Sequence, residues 1–196
     1  MRVILIIGLI LMTSCISKKK NENQNRTYNN LDDLKSQIVE DEIESLLYID
    51  STYGYKTEVP NWLNLKETGN DRIWGGTFPS IKGIKNALLI KGFDKSEFNS
   101  FEHFTEIYIT GNTFGKKTLY NEDQVWYGSN PRDLHDINNG VSCRVFTLFQ
   151  NMIYHNQFSL IETKNAYLWI QFVATPETYD QNLPKFIEFV KGIEFL

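Results

Sequence analysis

One cluster of residues in the chain could do acid–base or metal chemistry. It reads Arg132-Asp133-Leu134-His135-Asp136 and lies in a stretch rich in asparagine and glycine. An imidazole between two carboxylates can act as a general base in hydrolysis, or it can bind a divalent metal together with them. Either chemistry needs a partner from a distant part of the chain, and the sequence does not identify one. We therefore favour a loop whose Asp and Asn side chains form turns and caps.

A nucleophilic triad could in principle be formed by Cys143, His155 and Asp136. A catalytic cysteine attacks as a thiolate, and a helix N-terminus or a neighbouring cation usually lowers its pKa. Cys143 instead stands in a stretch whose alternation is typical of a β-strand. We expect Cys143 to be a buried, unreactive thiol and the chain to have no catalytic residues.

The segment Asp136-Ile137-Asn138-Asn139-Gly140 is similar to the start of an EF-hand calcium loop. The similarity ends there, because Gly140, Val141 and Thr147 occupy positions where that loop needs an oxygen ligand, a glycine and a glutamate. The sequence also lacks a glycine-rich phosphate loop, a Gly-x-Ser-x-Gly motif and two histidines at helical spacing. We expect neither a metal nor a cofactor.

Aromatic residues beside polar loops are the best candidates for contact with a partner. Trp74 precedes two glycines, and Trp126 and Tyr127 lie within the Asn-rich stretch. Exposed aromatic side chains on loops often contribute most of the binding energy of an interface. Together with Asp133 and Asp136, these three residues form the candidate partner-binding set.

The N-terminus has the features of an export signal. Arg2 is followed by an apolar run over residues 3–12, which is too short to span a membrane as a helix. The next residues, Met12-Thr13-Ser14-Cys15, resemble the bacterial lipobox, in which small residues precede the cysteine that becomes lipid-modified. The resemblance implies a signal peptide over 1–14 and an acylated Cys15. The alternative is an ordinary secretory signal in which Cys15 is coincidental.

Residues 15–30 are almost free of apolar side chains and predict a flexible tether. Lys18, Lys19 and Lys20 lie where they could contact anionic lipid headgroups. Position two after the cysteine is Ile16 rather than Asp, so the resemblance to lipoproteins retained in the inner membrane is lacking. We expect an outer-membrane anchor with the protein facing the periplasm.

Charge excludes nucleic acid as a partner. The chain of 196 residues has a formal charge of −4, but five of its cations and only one acid precede residue 27. Residues 27–196 therefore carry 15 basic and 23 acidic side chains, a formal −8. Binding to a phosphate backbone depends on clustered Lys and Arg. With 41% hydrophobic residues, the region 31–196 can form a single globular domain.

Apolar periodicity predicts three helices in this domain. Leucines and isoleucines recur at helical spacing over residues 31–48. A second helix is predicted after Asn99, which can act as the N-cap, and it places His103 at a polar edge in a surface or capping role. A third helical region begins at Thr175-Pro176, Pro184 restarts or kinks it, and residues 186–193 supply an apolar face.

Strands are predicted between these helices over residues 53–60, 72–79, 87–93, 141–149, 154–162 and 166–174. Within the polar stretch 110–140, only residues 125–127 have a strand-like pattern. Short links between the last three strands imply antiparallel pairing. The predicted fold class is α+β, an antiparallel β-sheet with helices packed on its faces.

Three stretches resemble the PsbP-like family of α/β/α sandwiches, which includes DcrB-type bacterial lipoproteins. They are residues 55–62 with Pro60 and Trp62, residues 166–180, and the closing Gly192-Ile193-Glu194-Phe195. These residues define packing and turns over most of 53–196, and none is catalytic. The resemblance implies a binding or assembly module, and no metal-handling residue of the family has a counterpart here.

Taken together, the sequence predicts a lipid-anchored periplasmic protein without enzymatic activity that binds another protein. An envelope assembly factor, an accessory subunit and a toxin-immunity protein all fit this description. The alternative is a module that binds a small ligand or a metal through the loop at 111–140.

Overall fold

Two β-sheets, with helices on both sides of the larger one, form the part of the chain described by the computed structural model. This part comprises residues 46–66, 72–110 and 134–196, together with the backbone of two short strands at 27–28 and 125–129. The α+β class with antiparallel sheets is confirmed. The division of the strands between two sheets has no counterpart in the sequence pattern.

The larger sheet has eight strands, and all of its pairs are antiparallel. In chain order they are β4 (Asn64–Lys66), β5 (Ile73–Thr77), β6 (Ala87–Asp94), β7 (Val125–Ser129), β8 (His135–Ile137), β9 (Gly140–Phe149), β10 (Met152–Glu162) and β11 (Ala166–Ala174). Their spatial order is β4-β5-β6-β11-β10-β9-β7, and β8 also pairs with β9. Gln150 and Asn151 close the β9–β10 hairpin with φ of 49° and 61°, as a two-residue type I′ turn requires.

The smaller sheet has the order β1-β2-β3-β12. Its strands are β1 (Thr27–Tyr28), β2 (Leu46–Asp50), β3 (Tyr55–Val59) and β12 (Glu194–Phe195). β1 and β2 are parallel, and the other pairs are antiparallel. The turn between β2 and β3 is stabilised by a hydrogen bond from the Tyr53 N–H to the Asp50 carboxylate at 2.9 Å. Gly54 completes the turn with a φ of 72°.

Helices cover the two faces of the larger sheet. Helix α1 (Phe101–Thr105) continues into a π-helical turn over Glu106–Thr110, and helix α2 (Pro176–Lys191) precedes β12. On the α1 face, Phe104 and Tyr108 pack against Trp169 and its neighbours. On the α2 face, helix α2 and the smaller sheet together bury the opposite side chains of β5, β6, β10 and β11.

The hydrophobic core is thickest on the α2 face. Phe172 lies at its centre with its ring centroid 5.0 Å from that of Phe78, 5.4 Å from that of Tyr179 and 5.6 Å from that of Phe186. Trp74 completes this core from β5, where its indole N–H donates to the Tyr55 hydroxyl at 2.7 Å. No helix in the described ranges combines the length and apolarity needed to cross a bilayer.

The prediction of a helix over residues 31–48 is wrong for its C-terminal end. Residues 31–45 lie outside the described part, but Leu46, Leu47 and Tyr48 belong to β2 and pair with β3. A strand buries Tyr48 at the core while its neighbours remain half-buried, and the backbone gains ladder hydrogen bonds. Thr27–Tyr28, which the sequence assigned to the tether, likewise pairs with β2 through its backbone.

The N-cap of α1 also differs from the prediction. Ser100, not Asn99, caps the helix, and its hydroxyl accepts the His103 N–H at 3.2 Å. The Asn99 N–H instead donates to Nδ1 of His103 at 3.2 Å. His103 therefore has the capping role expected from the sequence.

Candidate functional site

A cleft of about 780 Å³ opens on the α2 face, between helix α2 and strands β8, β9 and β10. It forms because α2 packs over β10 and β11, so that the part of the sheet beyond β10 is left partly uncovered. Ligand pockets for small molecules typically have volumes of about 300–1,000 Å³ and combine apolar walls with a few polar groups. The size of this cleft is within that range.

One wall of the cleft is apolar. Helix α2 presents Leu183, Ile187 and Val190 to it, and Ile193 and Phe195 extend the wall toward the C-terminus. Their spacing along α2 places them on one stripe of the helix, beside the stripe that faces the core. Ile187 is 42% exposed, so this wall carries apolar surface that remains open to water.

The floor of the cleft is polar and belongs to β9 and β10. The Tyr179 hydroxyl of α2 donates to Oε1 of Gln157 at 2.7 Å, and Nε2 of Gln157 donates to the Ser142 hydroxyl, also at 2.7 Å. Ser142 in turn donates to the Phe158 carbonyl at 2.7 Å and lies 3.1 Å from the Ser159 hydroxyl. Buried polar groups connected in this way hold one another in a single arrangement.

Arg144 provides the positive charge of the floor. One of its terminal nitrogens, Nη2, lies 2.7 Å from Nδ1 of His155. Because a guanidinium can only donate, Nδ1 of His155 must accept this hydrogen bond. The guanidinium also stacks 4.3 Å from the centre of the Tyr179 ring and 5.3 Å from that of Phe146. These contacts fix its position.

Several N–H groups of Arg144 form no hydrogen bond with the described residues. Its Nε atom is buried and has no hydrogen-bond partner there. The ion pairs formed among the described side chains are Lys56–Glu194, Arg72–Glu97 and Lys95–Glu162, and Arg144 is in none of them. A fixed cation without a carboxylate partner at the bottom of a cleft can receive an anionic group.

His155 stays neutral because of its surroundings. Burial, and then the positive charge of Arg144, lower the pKa of His155 from its ordinary value near 6.5, and the carboxylates of Asp180 and Glu177 raise it to a smaller extent. A neutral imidazole can accept the Arg144 hydrogen bond, whereas a protonated one cannot. Protonation of His155 would therefore place two cations in contact.

This arrangement predicts an acid-sensitive fold. The unfolded chain takes up a proton at His155 near pH 6.5, while the folded chain resists it, so stability is expected to fall as the pH drops below about 6.5. A His155→Gln variant keeps an acceptor for Arg144 but cannot titrate. Between about pH 7.5 and 5.5, its urea midpoint should fall less than that of the wild type. Equal falls in both proteins would contradict this role of His155.

The rim of the cleft carries His135, Asp136 and Asn138 on one side and Lys191 on the other. Asp136 is exposed on β8, where the structure leaves it accessible to a partner. It is the one member of the candidate partner-binding set whose side chain the structure describes at the surface. It is also the member that borders the cleft.

The other members of that set are not brought together with Asp136. Trp74 is only 4% exposed and forms part of the core, so its expected role as a surface contact is wrong. The two glycines after it do not form an open loop, because they belong to β5 and pair with β6. Trp126 and Tyr127 lie on β7, of which only the backbone is described, and Asp133 and Cys15 lie outside the described residues.

The nucleophilic triad is excluded by the register of β9 and β10. Cys143 pairs with Phe158 and packs on the α1 face, 1% exposed, whereas His155 packs against Tyr179 on the α2 face. The sheet lies between the two side chains, because Cys143 and His155 point to opposite faces of it. The expectation of a buried Cys143 is confirmed.

The segment similar to a calcium loop is a tight β-hairpin. His135–Ile137 pairs with the start of β9, and Asn138 and Asn139 form the turn, with Asn139 at a φ of 55°. Asparagine tolerates this left-handed conformation, which explains the residue type without a ligand. Nowhere in the described ranges do three His, Cys, Asp or Glu side chains gather so that they could hold a metal ion.

The site contains four residues that are not among the candidates predicted from the sequence: Ser142, Arg144, Gln157 and Ser159. A signal for them was present, because these polar residues alternate with the apolar Cys143, Val145 and Phe158 along the two strands. Such a polar stripe on a sheet face that also faces a helix indicates a site rather than a solvated surface.

Comparisons with known proteins give neither a family nor a curated relative. No family profile matches the chain, and no curated protein matches it significantly. Among solved structures, a Pseudomonas aeruginosa protein of unknown function is similar, with 12% identity over 74% of this chain and 92% of that one, at a TM-score of 0.43.

Two further solved structures are similar at the same level. The PsbP of Synechocystis sp. PCC 6803 has 10% identity over 82% of this chain and 98% of its own, at a TM-score of 0.48. A protein from Bacteroides thetaiotaomicron has 12% identity over 72% of this chain and 45% of its own, at a TM-score of 0.41. The structural neighbours thus include one PsbP protein, and PsbP-like proteins are the family that the sequence resembles.

Proposed function

We propose that this protein is a lipid-anchored binding protein of the bacterial cell envelope, without enzymatic activity, that holds a small amphipathic molecule in the cleft beside α2. The observation that carries the proposal is the composition of that cleft: an apolar helical wall faces a polar floor across about 780 Å³. Most of the loop at 111–140, which the small-ligand alternative names as the site, lies outside the described residues, and residues 135–138 of that stretch line this cleft.

The chemistry of the floor supports binding rather than catalysis. The Ser142 hydroxyl bonds to Gln157, Ser159 and a backbone carbonyl. None of these groups can take its proton as a general base. The floor can orient a ligand, because its polar groups are held by one another and by Tyr179 of α2.

A test of the cleft uses Nile red, an uncharged probe whose fluorescence rises in apolar surroundings. We expect saturable binding to the purified protein and about tenfold weaker binding to Ile187→Glu, because the new carboxylate must lose water beside the probe. Ile187 is exposed, so the fold should tolerate the change. Gln181→Glu is the matched control, since it adds the same charge to an exposed α2 position outside the cleft.

The proposal would be contradicted if Ile187→Glu bound the probe as tightly as the wild type, or if Gln181→Glu weakened binding as much as Ile187→Glu does. It would equally be contradicted if no saturable binding occurred. Circular dichroism of both variants should match the wild type, which separates loss of the site from loss of the fold.

A protein partner is a second candidate, supported by Asp136 and Leu134. Leu134, a large apolar residue, is 38% exposed directly before β8, and Asp136 is exposed on that strand. The acidic domain favours a basic partner. We expect the wild-type protein to retain a stoichiometric partner from detergent-solubilised envelope and Asp136→Arg to lose it. Recovery of the protein alone from every fraction would count against this candidate.

A further inference from the structure

The charge of the cleft narrows the class of ligand. On the basis of the proposed binding function, we infer that the ligand is an amphipathic organic acid, whose anionic head is bound by Arg144 and whose apolar body lies along α2. Three features of the described residues support this: an unpaired cation, its fixed position, and the separation of polar and apolar surfaces.

The first feature is the missing counterion of Arg144. The guanidinium is always charged, and it is half-buried on the cleft floor. Asp180 and Glu177 on α2 influence His155 electrostatically, but neither forms an ion pair with Arg144. No carboxylate among the described residues forms an ion pair with Arg144, although residues 27–196 carry an excess of acids. An anionic ligand would supply the missing charge.

The second feature is the fixed position of the guanidinium. His155 holds one terminal nitrogen at 2.7 Å, and the Tyr179 ring lies 4.3 Å from the guanidinium carbon. Tyr179 is itself held by its hydrogen bond to Gln157. A donor group that is already ordered loses little entropy on binding, which favours affinity for a planar carboxylate or a phosphate.

The third feature is the separation of charge from apolar surface. Ser142, Gln157 and Ser159 already bond to one another, so they do not require a polar ligand body. Leu183, Ile187 and Val190 on α2 form a continuous apolar surface. Lys191 at the rim is exposed, where solvent and salt screen its charge. A molecule with one charged end and an apolar body matches this distribution.

Isothermal titration calorimetry with a series of matched probes tests the inference. The probes are decanoate, decyl phosphate and uncharged decan-1-ol, titrated into the purified wild-type protein below their micellar concentrations. We expect at least one of the two anions to bind about tenfold more tightly than decanol, as charge-assisted hydrogen bonds to a fixed guanidinium imply. Which anion binds more tightly identifies a carboxylic or a phosphoric head.

Variants test whether Arg144 is responsible for the tighter binding of the anions. Arg144→Gln should bring the affinity for the anions close to that for decanol, while Arg144→Lys should keep part of the difference. Lys85→Gln, which removes an exposed cation outside the cleft, should change the affinity for the anions by less than about twofold. If Arg144→Gln does not fold, the wild-type comparison and Arg144→Lys still decide the outcome.

The results distinguish failure of the inference about Arg144 from failure of the proposed binding function. If decanol binds as tightly as both anions, or if Arg144→Gln weakens the binding of the anions no more than Lys85→Gln does, the inference about Arg144 is overturned while the binding function stands. If neither the probes nor Nile red bind, the proposed function fails together with the inference.

Discussion

Replacement of Phe172 by alanine should destabilise the domain by about 3–5 kcal/mol, because it removes a ring from the centre of the core and leaves a cavity. Phe172 is fully buried and lies against Phe78, Tyr179 and Phe186. These residues come from the segment after β5 and from helix α2, so the loss weakens the attachment of both to the larger sheet. Urea denaturation followed by circular dichroism measures the effect.

Leu196→Ala is the control for this prediction. Leu196 is 51% exposed at the C-terminus, and its truncation should change stability by less than about 0.5 kcal/mol. A domain typically has a total stability of about 5–15 kcal/mol, so Phe172→Ala could leave the protein largely unfolded. A loss below about 1 kcal/mol would show that Phe172 is not at the centre of the core.

Replacement of Cys15 by alanine should abolish lipid attachment. The lipobox-like Met12-Thr13-Ser14-Cys15 places the thiol where acylation is expected, and each buried methylene of an acyl chain contributes about 0.8 kcal/mol to membrane binding. Several chains on one residue give stable anchoring, and the removal of the thiol removes all of them. Metabolic labelling with an alkynyl fatty acid measures the modification directly, and fractionation measures its consequence.

Cys143→Ala is the matched control, because it removes the other cysteine of the chain, which is buried on the α1 face. The control should keep the label and the membrane fraction of the wild type. Label that persists in Cys15→Ala, or that is lost in Cys143→Ala, would overturn the assignment of the anchor.

Strands are predicted correctly where the residue pattern of a stretch and the short turns that flank it both indicate a β-strand. The β9–β10–β11 meander consists of stretches rich in β-formers, separated by short turns at Gln150-Asn151 and Lys164-Asn165, so sequence and structure agree on these strands. The helix over 31–48 fails at Leu46, Leu47 and Tyr48 because the same apolar residues can satisfy a helical or a strand period over a short window. Pairing with β3 decides between the two.

Local sequence patterns predict some features of the site but not the cleft itself. A buried Cys143, the capping role of His103 and the α+β class follow from neighbours in the chain, because each depends on periodicity or on contacts within one element. The cleft does not, since it exists only where α2, β9 and β10 meet. The same holds for Trp74, whose two glycines indicate a loop in sequence but pair with β6 in the fold.

Composition and motif order alone therefore predict an exported, acidic α+β domain, because export signals, charge and hydrophobic period are properties of consecutive residues. The tertiary structure decides that Trp74 is core, that Cys143 and His155 lie on opposite faces, and that Arg144 lies in a cleft. The physical reason is that burial, the pairing of charges and the lowered pKa of His155 depend on residues far apart in the chain that only the packed sheet and helix bring into contact.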